Sequence, residues 1–233
     1  MPFVRFVETS APPSALLARE VSGGPVTWFC RPSKPALVLG SSQRDLAVDR
    51  AELDRRGADL VRRRGGGGAV WVDRTVAWFD IEIGPTDPRW NDDVGKAFLW
   101  VGDALVEVLA HFGVEATNHR GALQHSRWSQ LVCFAGVGPG EVLVDGRKLV
   151  GISQRRTRHG ARFMCQAHCD WRADDVVEAL EMSASDRSDA RRELAQVAVG
   201  LGELGLDRER FEATLRSVLT GQRADSGLAT ANP

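Results

Sequence analysis

Alternating apolar and polar residues run through most of the chain before residue 170 and predict short strands. The run Val76–Ile83 alternates over its second half and ends at Gly84-Pro85. Alternation of this kind is typical of strands with one buried face. Similar apolar runs cover 3–8, 26–31, 36–40, 58–61, 69–72, 114–117, 131–134, 141–144, 148–154 and 161–168.

Apolar residues recur at helical spacing in fewer segments. The longest predicted helix runs from Asn91, which can cap it, to Phe112, and Gly113 follows as a C-terminal glycine. Shorter helices are predicted over 14–20, 49–56, 174–182, 185–200 and 207–220. A strand-rich body with few helices indicates an α+β fold, with helices packed on a mixed or antiparallel sheet.

The length of 233 residues suits one large domain with a small appendage. We predict a catalytic domain over 1–182 and a helical extension over 183–221. The small and polar composition of 222–233 predicts a disordered tail.

Charge and composition exclude several classes of partner. The formal net charge is −1, so the chain lacks the overall basic character of a nucleic-acid-binding protein. No run of 18 apolar residues predicts a membrane span, and the N-terminus lacks the pattern of a signal peptide. Four cysteines are too few for a disulfide framework in a chain of this length. We expect a cytoplasmic protein without nucleic-acid or membrane partners.

Four consecutive glycines at 65–68, preceded by three arginines at 62–64, stand between two predicted strands. Glycine allows close approach of the backbone to a ligand, and successive N–H groups can bind an anion. Arginine beside such a loop indicates a site for phosphate or carboxylate. No Lys-Ser or Lys-Thr follows, as in a P-loop, and the glycines lead into a strand rather than a dinucleotide-binding helix. The alternative is a flexible hairpin loop beside a basic strand.

Lys148 is the second candidate, because only three of the 30 basic residues are lysines. Asp145-Gly146 predicts a tight turn, which places Lys148 near the start of the second strand of a hairpin. A compact ammonium there can neutralise a carboxylate or a developing phosphate charge. The alternative is an ordinary exposed lysine on a strand.

The segments Arg62–Val70 and Gly146–Gln154 resemble the two signature motifs of the lipoate–protein ligase A family. That family shares its catalytic fold with biotin ligases and octanoyltransferases, and the similarity covers roughly residues 25–182. The resemblance implies a biotin/lipoate protein ligase-like catalytic domain. It also implies ATP and Mg2+ as cofactors, lipoate or octanoate as substrate, and the lysine of a lipoyl domain as acceptor.

The resemblance also implies roles for single residues. Lys148 would hold the acyl carbonyl and the phosphate, and Arg63 would approach the ligand. Gly65 departs from the motif, because the ligases usually carry serine there. The remaining expected members of the acyl- and nucleotide-binding set are Gly66, Gly67, Gly68, Ala69, Gly151 and Ser153.

Cys133 provides a competing mechanism. Its segment resembles the region of the nucleophilic cysteine in one octanoyltransferase branch of the superfamily. A thiolate there would accept an octanoyl group from acyl carrier protein and pass it to the lipoyl-domain lysine. The alternative for Cys133 is a small buried hydrophobe on an apolar strand. A non-catalytic relative that binds an acyl or adenylate ligand is a third possibility.

Cys165, His168 and Cys169 are the densest group of possible metal ligands. On a strand, Cys165 and Cys169 would share one face and His168 would lie on the other, and no second half-site is visible. We therefore expect no metal. The tryptophans are expected to fill the core, and one or two of them to wall an acyl tunnel.

Overall fold

The structure is a computed structural model that describes residues 4–43 and 48–221. The first residue of the predicted strand over 3–8 and the predicted tail over 222–233 lie outside these ranges.

A seven-stranded mixed sheet forms the centre of the molecule. Its order is β1-β2-β6-β10-β9-β8-β7; β1 and β2 are parallel, and the other neighbours are antiparallel. The strands are β1 (Arg5–Ala11), β2 (Val26–Pro32), β6 (Val76–Ile83), β7 (Thr117–Asn118), β8 (Val142–Val144), β9 (Arg147–Thr157) and β10 (Gly160–His168).

A second sheet of three strands packs on one face of the large one. Its order is β4-β3-β5, with β3 and β4 parallel and β3 and β5 antiparallel. Val38 and Val70 from this sheet meet Trp78 of the large sheet in a shared apolar core. The strands are β3 (Ala36–Leu39), β4 (Asp59–Arg62) and β5 (Val70–Val72).

Helices cover the outer faces of both sheets. Helices α3 and α6 pack on the large sheet through residues such as Leu105 and Phe211, and α2, α4 and α5 pack on the small one. The helices are α1 (Pro13–Ala18), α2 (Arg50–Arg55), α3 (Leu99–Ala110), α4 (Ala173–Val177), α5 (Ala184–Leu194) and α6 (Arg208–Thr220).

The predicted α+β fold with a mixed sheet and packed helices is confirmed. The domain boundary at residue 182 stays a prediction. Within the described ranges, no helix combines the length and the apolar character needed to cross a membrane.

Several predicted elements are wrong in part. The helices expected over 174–182 and 185–200 end at Val177 and Leu194. The helix expected from Asn91 begins as a 3-10 turn at Lys96–Phe98, because Asn91 and Asp93 bond to nearby backbone N–H groups in local turns. The run 131–134 is not a strand but leads into a 3-10 turn at Cys133–Ala135. The strand expected over 114–117 is reduced to Thr117–Asn118.

Candidate functional site

The glycine run forms the loop between β4 and β5, and its third glycine carries the unusual backbone. Gly67 has a φ of +93°, a conformation that side chains with a Cβ rarely adopt. A Cβ at Gly40, at the end of β3, would lie only 1.9 Å from the carbonyl oxygen of Gly67. Two glycines from different segments therefore allow the loop to fold back on β3.

The end of this loop is joined to the Cys133 segment by backbone hydrogen bonds. Ala69 N donates to Leu131 O at 2.7 Å, and Cys133 N donates to Ala69 O at 2.8 Å. A Cβ at Gly68 would lie 2.5 Å from the backbone of Val132, so this contact requires glycine. The loop and the cysteine, which are distant in sequence, are thus held side by side by backbone bonds.

The first two glycines of the run have room for a side chain. A Cβ at Gly66 would have no atom within 4 Å, and a Cβ at Gly65 would only touch the side chain of Ser153 at 3.8 Å. Their small size is therefore not needed for packing, and Gly66 faces an open cleft.

Arg63 is buried behind this loop, with 6% of its surface exposed. Its Nε donates to Gly66 O at 3.1 Å, and its Nη2 donates to Gly66 O and Gly68 O, both at 2.8 Å. The same Nη2 lies 3.8 Å from the Sγ of Cys133. The guanidinium therefore holds the loop and places a positive charge beside the thiol.

Lys148 lies near the start of β9, after the hairpin turn at Asp145 and Gly146, which have φ values of +50° and +74°. Its backbone is fixed by the segment 197–199, because its N–H donates to Val197 O at 2.9 Å and its carbonyl accepts from Val199 N at 3.1 Å. The side chain is 1% exposed. The structure therefore does not show an ordinary exposed lysine.

The ammonium of Lys148 meets a buried carboxylate. Its Nζ donates to Glu141 Oε2 at 2.7 Å and to the carbonyl oxygen of Cys133 at 2.9 Å. Glu141 also accepts from Gly138 N at 2.7 Å and from Ile152 N at 3.2 Å. The centroid of the Phe134 ring lies 5.2 Å from Nζ, so the ring and the ammonium form a cation–π contact.

A cleft of about 810 Å³ opens over these groups. It is large enough for a small ligand. Most of the predicted site residues line it: Arg63, Gly66, Gly67, Gly68, Cys133, Lys148 and Ser153. Ala69 and Gly151 do not line the cleft; Ala69 contributes backbone bonds, and Gly151 packs against the ring of Phe134.

A narrow apolar slot continues from the cleft between the two sheets. It shares Arg63, Cys133, Ile152 and Ser153 with the cleft. Its volume of about 30 Å³ exceeds the roughly 10–15 Å³ that one water needs. Its deeper wall consists of Leu17, Val38, Val70, Trp78, Phe134, Gly151, Met164 and Gln166.

Sequence reasoning missed Glu141 and Gln43. Glu141 is the one acidic residue at the start of the apolar run 141–144, which was a usable signal. Gln43 donates from Nε2 to the carbonyl oxygens of Gln130 and Leu131, at 3.0 Å each, and so ties the loop after β3 to the segment before Cys133. Nothing local in the sequence indicates this contact.

The Cys165–Cys169 segment does not line the cleft, and its Gln166 lines the slot. Within residues 4–43 and 48–221, no three side chains of His, Cys, Asp or Glu are grouped as metal ligands would be. Burial raises the pKa of the Cys165 thiol and lowers the pKa of His168 to about 4. The His168 ring packs edge-on against Phe134 and Trp171, with centroids 4.9 and 5.2 Å away.

Solved structures confirm the expected fold. A bipartite lipoate protein ligase from Thermoplasma acidophilum superposes with a TM-score of 0.75 and 15% identity, over 95% of this chain and 84% of the other. A lipoate–protein ligase A bound with ATP gives a TM-score of 0.69 and 16% identity, over 93% and 84% of the two chains. At these identities the likeness concerns the fold.

Sequence relatives carry another name. Octanoyltransferase LipM of Kyrpidia tusciae is 29% identical over 84% of this chain and 76% of its own length. Octanoyltransferase LipM of Carboxydothermus hydrogenoformans is 30% identical over 66% of this chain and 59% of its own length. The chain thus spans only part of each of these relatives.

The family model of the lipoyl protein ligase A/B catalytic domain matches residues 14–217. This range includes both motifs, Cys133, Glu141 and nearly all of the two sheets. The chain therefore belongs to the lipoyl protein ligase A/B catalytic domain family, whose enzymes transfer lipoyl or octanoyl groups.

Proposed function

We propose that this enzyme is an octanoyltransferase that carries the acyl group on Cys133 and passes it to the lysine of a lipoyl domain. One observation carries the proposal: the Cys133 thiol lies at the junction of the open cleft and the apolar slot. The Nη2 of Arg63 lies 3.8 Å from the Cys133 sulfur, and the Lys148 ammonium donates a hydrogen bond to the backbone carbonyl oxygen of Cys133.

The reaction has two thioester steps. In the first, the Cys133 thiolate attacks the carbonyl carbon of an acyl thioester such as octanoyl-acyl carrier protein, the C–S bond to the carrier breaks, and the carrier leaves as a thiolate. In the second, the ε-amine of the acceptor lysine attacks the acyl-Cys133 carbonyl. An amide forms, Cys133 leaves as the thiolate, and the proton lost by the amine passes to solvent water. Neither step requires ATP.

The slot is where we expect the acyl chain to lie. Its wall is mostly apolar, which suits a saturated chain, and it begins at the sulfur that would carry the chain. At about 30 Å³ it is too small for an eight-carbon chain, so side chains have to move on acylation. Met164 is suited to this, because an unbranched thioether side chain changes rotamer easily.

The ATP-dependent ligase, which the motifs placed first, is the second candidate. The glycine loop with open positions at Gly65 and Gly66 is the feature that favours it. The relatives named octanoyltransferase and the thiol in the cleft support the transferase more strongly. In a ligase, Cys133 would have no chemical role.

The experiment incubates the purified protein with an apo lipoyl domain and one of two donors. One mixture contains octanoyl-acyl carrier protein, and the other contains lipoate or octanoate with ATP and Mg2+. Intact mass reports acylation of the lipoyl domain and of the enzyme itself. Cys133→Ser and Lys148→Ala are assayed beside the wild type.

For the transferase we expect modification from the carrier alone, with an acyl adduct on the Cys133 peptide. Cys133→Ser should remove the adduct and lower the rate by about 1000-fold or more, because a serine hydroxyl lacks the nucleophilicity of a thiolate. Lys148→Ala should lower the rate by about 100- to 1000-fold. Modification that needs ATP and survives Cys133→Ser would identify a ligase instead. Modification in neither mixture would support the non-catalytic alternative.

A further inference from the structure

We propose that Glu141 is the positioning residue of this site: it holds the Lys148 ammonium in one place, with one N–H directed to the acyl carbonyl. The proposal rests on the proposed function for the identity of the acyl group. It rests on geometry alone for the position of Lys148.

Glu141 is built into the site as a fixed anchor. It is 6% exposed, and its two oxygens accept three hydrogen bonds, from Lys148 Nζ, Gly138 N and Ile152 N. The donors come from two separate segments, the loop before β8 and the strand β9. The carboxylate therefore cannot rotate without losing backbone bonds, and its position is set by the main chain.

The bond to Glu141 uses only one of the N–H groups of the Lys148 ammonium. An ammonium has three N–H groups. Within residues 4–43 and 48–221, Nζ finds two acceptors, Glu141 Oε2 and Cys133 O. The third N–H remains for a ligand in the cleft that Lys148 lines. Because Cys133 O is one of the two acceptors, the cation is held next to the residue whose thiol carries the acyl group.

The Lys148–Glu141 ion pair should stabilise the same developing charge in each thioester step. Negative charge develops on the acyl carbonyl oxygen when a thiolate or an amine attacks the carbon. A cation that is already in place stabilises this charge without reorganisation, whereas a free lysine has to be ordered first. The role of Glu141 is therefore indirect and acts on the rate after substrate is bound.

The chain offers a labelling experiment that does not depend on catalysis. It contains three lysines, and the side chains of Lys34 and Lys96 are 47% and 69% exposed. Limited acetylation with acetic anhydride, read by peptide mass, gives the reactivity of Lys148 relative to these two internal references. Because Nζ is held by Glu141 and the side chain is 1% exposed, the reagent should reach Lys148 less readily than the two references.

The variants are Glu141→Gln, Glu141→Asp and, as a matched control, Glu212→Gln. Glu212 is also a buried carboxylate, 4% exposed, and accepts from Arg31 Nη1 at 2.8 Å, but it does not line the cleft. We expect the relative labelling of Lys148 to rise about tenfold or more in Glu141→Gln, because the charge that orders the ammonium is lost. It should stay near the wild-type value in Glu212→Gln.

Steady-state kinetics then separate positioning from folding. Glu141→Gln should lower kcat about 100-fold and change KM by less than about threefold, since the cation acts in the transition state. Glu141→Asp keeps the charge and should recover about a tenth or more of the wild-type kcat. Thermal unfolding identifies any variant that fails to fold.

Unchanged Lys148 labelling in folded Glu141→Gln would overturn the proposal. So would equal losses of kcat in Glu141→Gln and Glu212→Gln, because that pattern indicates a general effect on folding. If the wild type transfers no acyl group from the carrier, the proposed function fails, and the labelling result alone still decides whether Glu141 positions Lys148.

Discussion

Two buried ion pairs lie on the large sheet, Lys148–Glu141 at the cleft and Arg162–Asp80 under helix α1. Asp80 and Arg162 are both fully buried, and their closest contact is 2.6 Å. The Asp80 oxygens also accept from Arg19 Nη2 at 2.7 Å and Trp78 Nε1 at 2.9 Å, and Arg162 donates to the carbonyl oxygens of Leu16 and Arg19.

The difference lies in what each pair faces. In the Arg162–Asp80 pair, each guanidinium nitrogen and each carboxylate oxygen has a protein partner and neither residue lines the cleft, so the pair joins α1 to the sheet. Lys148 is also buried, but it lines the cleft, and within residues 4–43 and 48–221 its Nζ has two acceptors for three N–H groups. Burial and charge alone do not distinguish the two pairs; access to the cleft does.

The largest effect should come from Asp80→Asn. The amide oxygen keeps the bond to Trp78, but Arg162 loses its counter-charge, and breaking a buried ion pair in this way costs about 3–5 kcal/mol. Urea unfolding should show this loss, while acyl transfer per folded molecule stays within about twofold. Reduced transfer with unchanged unfolding would break the contrast with Lys148, whose loss is expected to act on catalysis.

A third buried group, His168, extends the comparison of buried charges to the pH dependence of stability. His168 packs against Phe134, which supports Lys148, and burial lowers its pKa from 6.5 to about 4. The unfolded chain therefore binds a proton on this residue that the native protein does not. The free energy of unfolding therefore carries the full contribution of neutral His168 above pH 6.5. It falls by about 3 kcal/mol as the pH drops toward 4.

His168→Phe keeps an aromatic ring in the cluster and removes this titration. Urea unfolding from pH 7 to 4 should give a steeper loss in the wild type than in His168→Phe, and the difference between the two curves isolates His168 from the carboxylates. Parallel curves would show that the ring is protonated in the native protein without penalty.

The smallest effects concern the glycine loop, where the same contrast between a structural and an open position recurs. Gly66→Ala should leave unfolding within about 1 kcal/mol, because its Cβ meets no atom, and should raise KM about tenfold by occupying the cleft. Gly68→Ala should cost about 1–3 kcal/mol or more, because its Cβ lies 2.5 Å from Val132. Equal effects of the two changes on unfolding would contradict this assignment.

The strands and the hairpin before Lys148 were predictable because their signals are local. Alternation marked β6 and β10 closely, and Asp145-Gly146 indicated the turn that positions Lys148. The start of α3 was misjudged because Asn91 and Asp93, which also suit a helix N-terminus, bond within their own turns instead.

The Cys133 segment was the hardest to predict. Its apolar residues fit a strand, but the backbone bonds to Ala69 hold it beside the glycine loop and lead into a 3-10 turn. A contact between residues this far apart in sequence depends on the packing of both sheets, and no local pattern reports it. The contacts of Gln43 could not be predicted for the same reason.

The sequence by itself determined most of the strands and helices, the glycine loop and the candidate lysine, because turn chemistry, side-chain period and residue type act over a few neighbours. The tertiary structure alone decided which groups share one site. It brought Glu141 to Lys148 and Arg63 to Cys133, because buried charges and donors require partners that only the packed sheets supply.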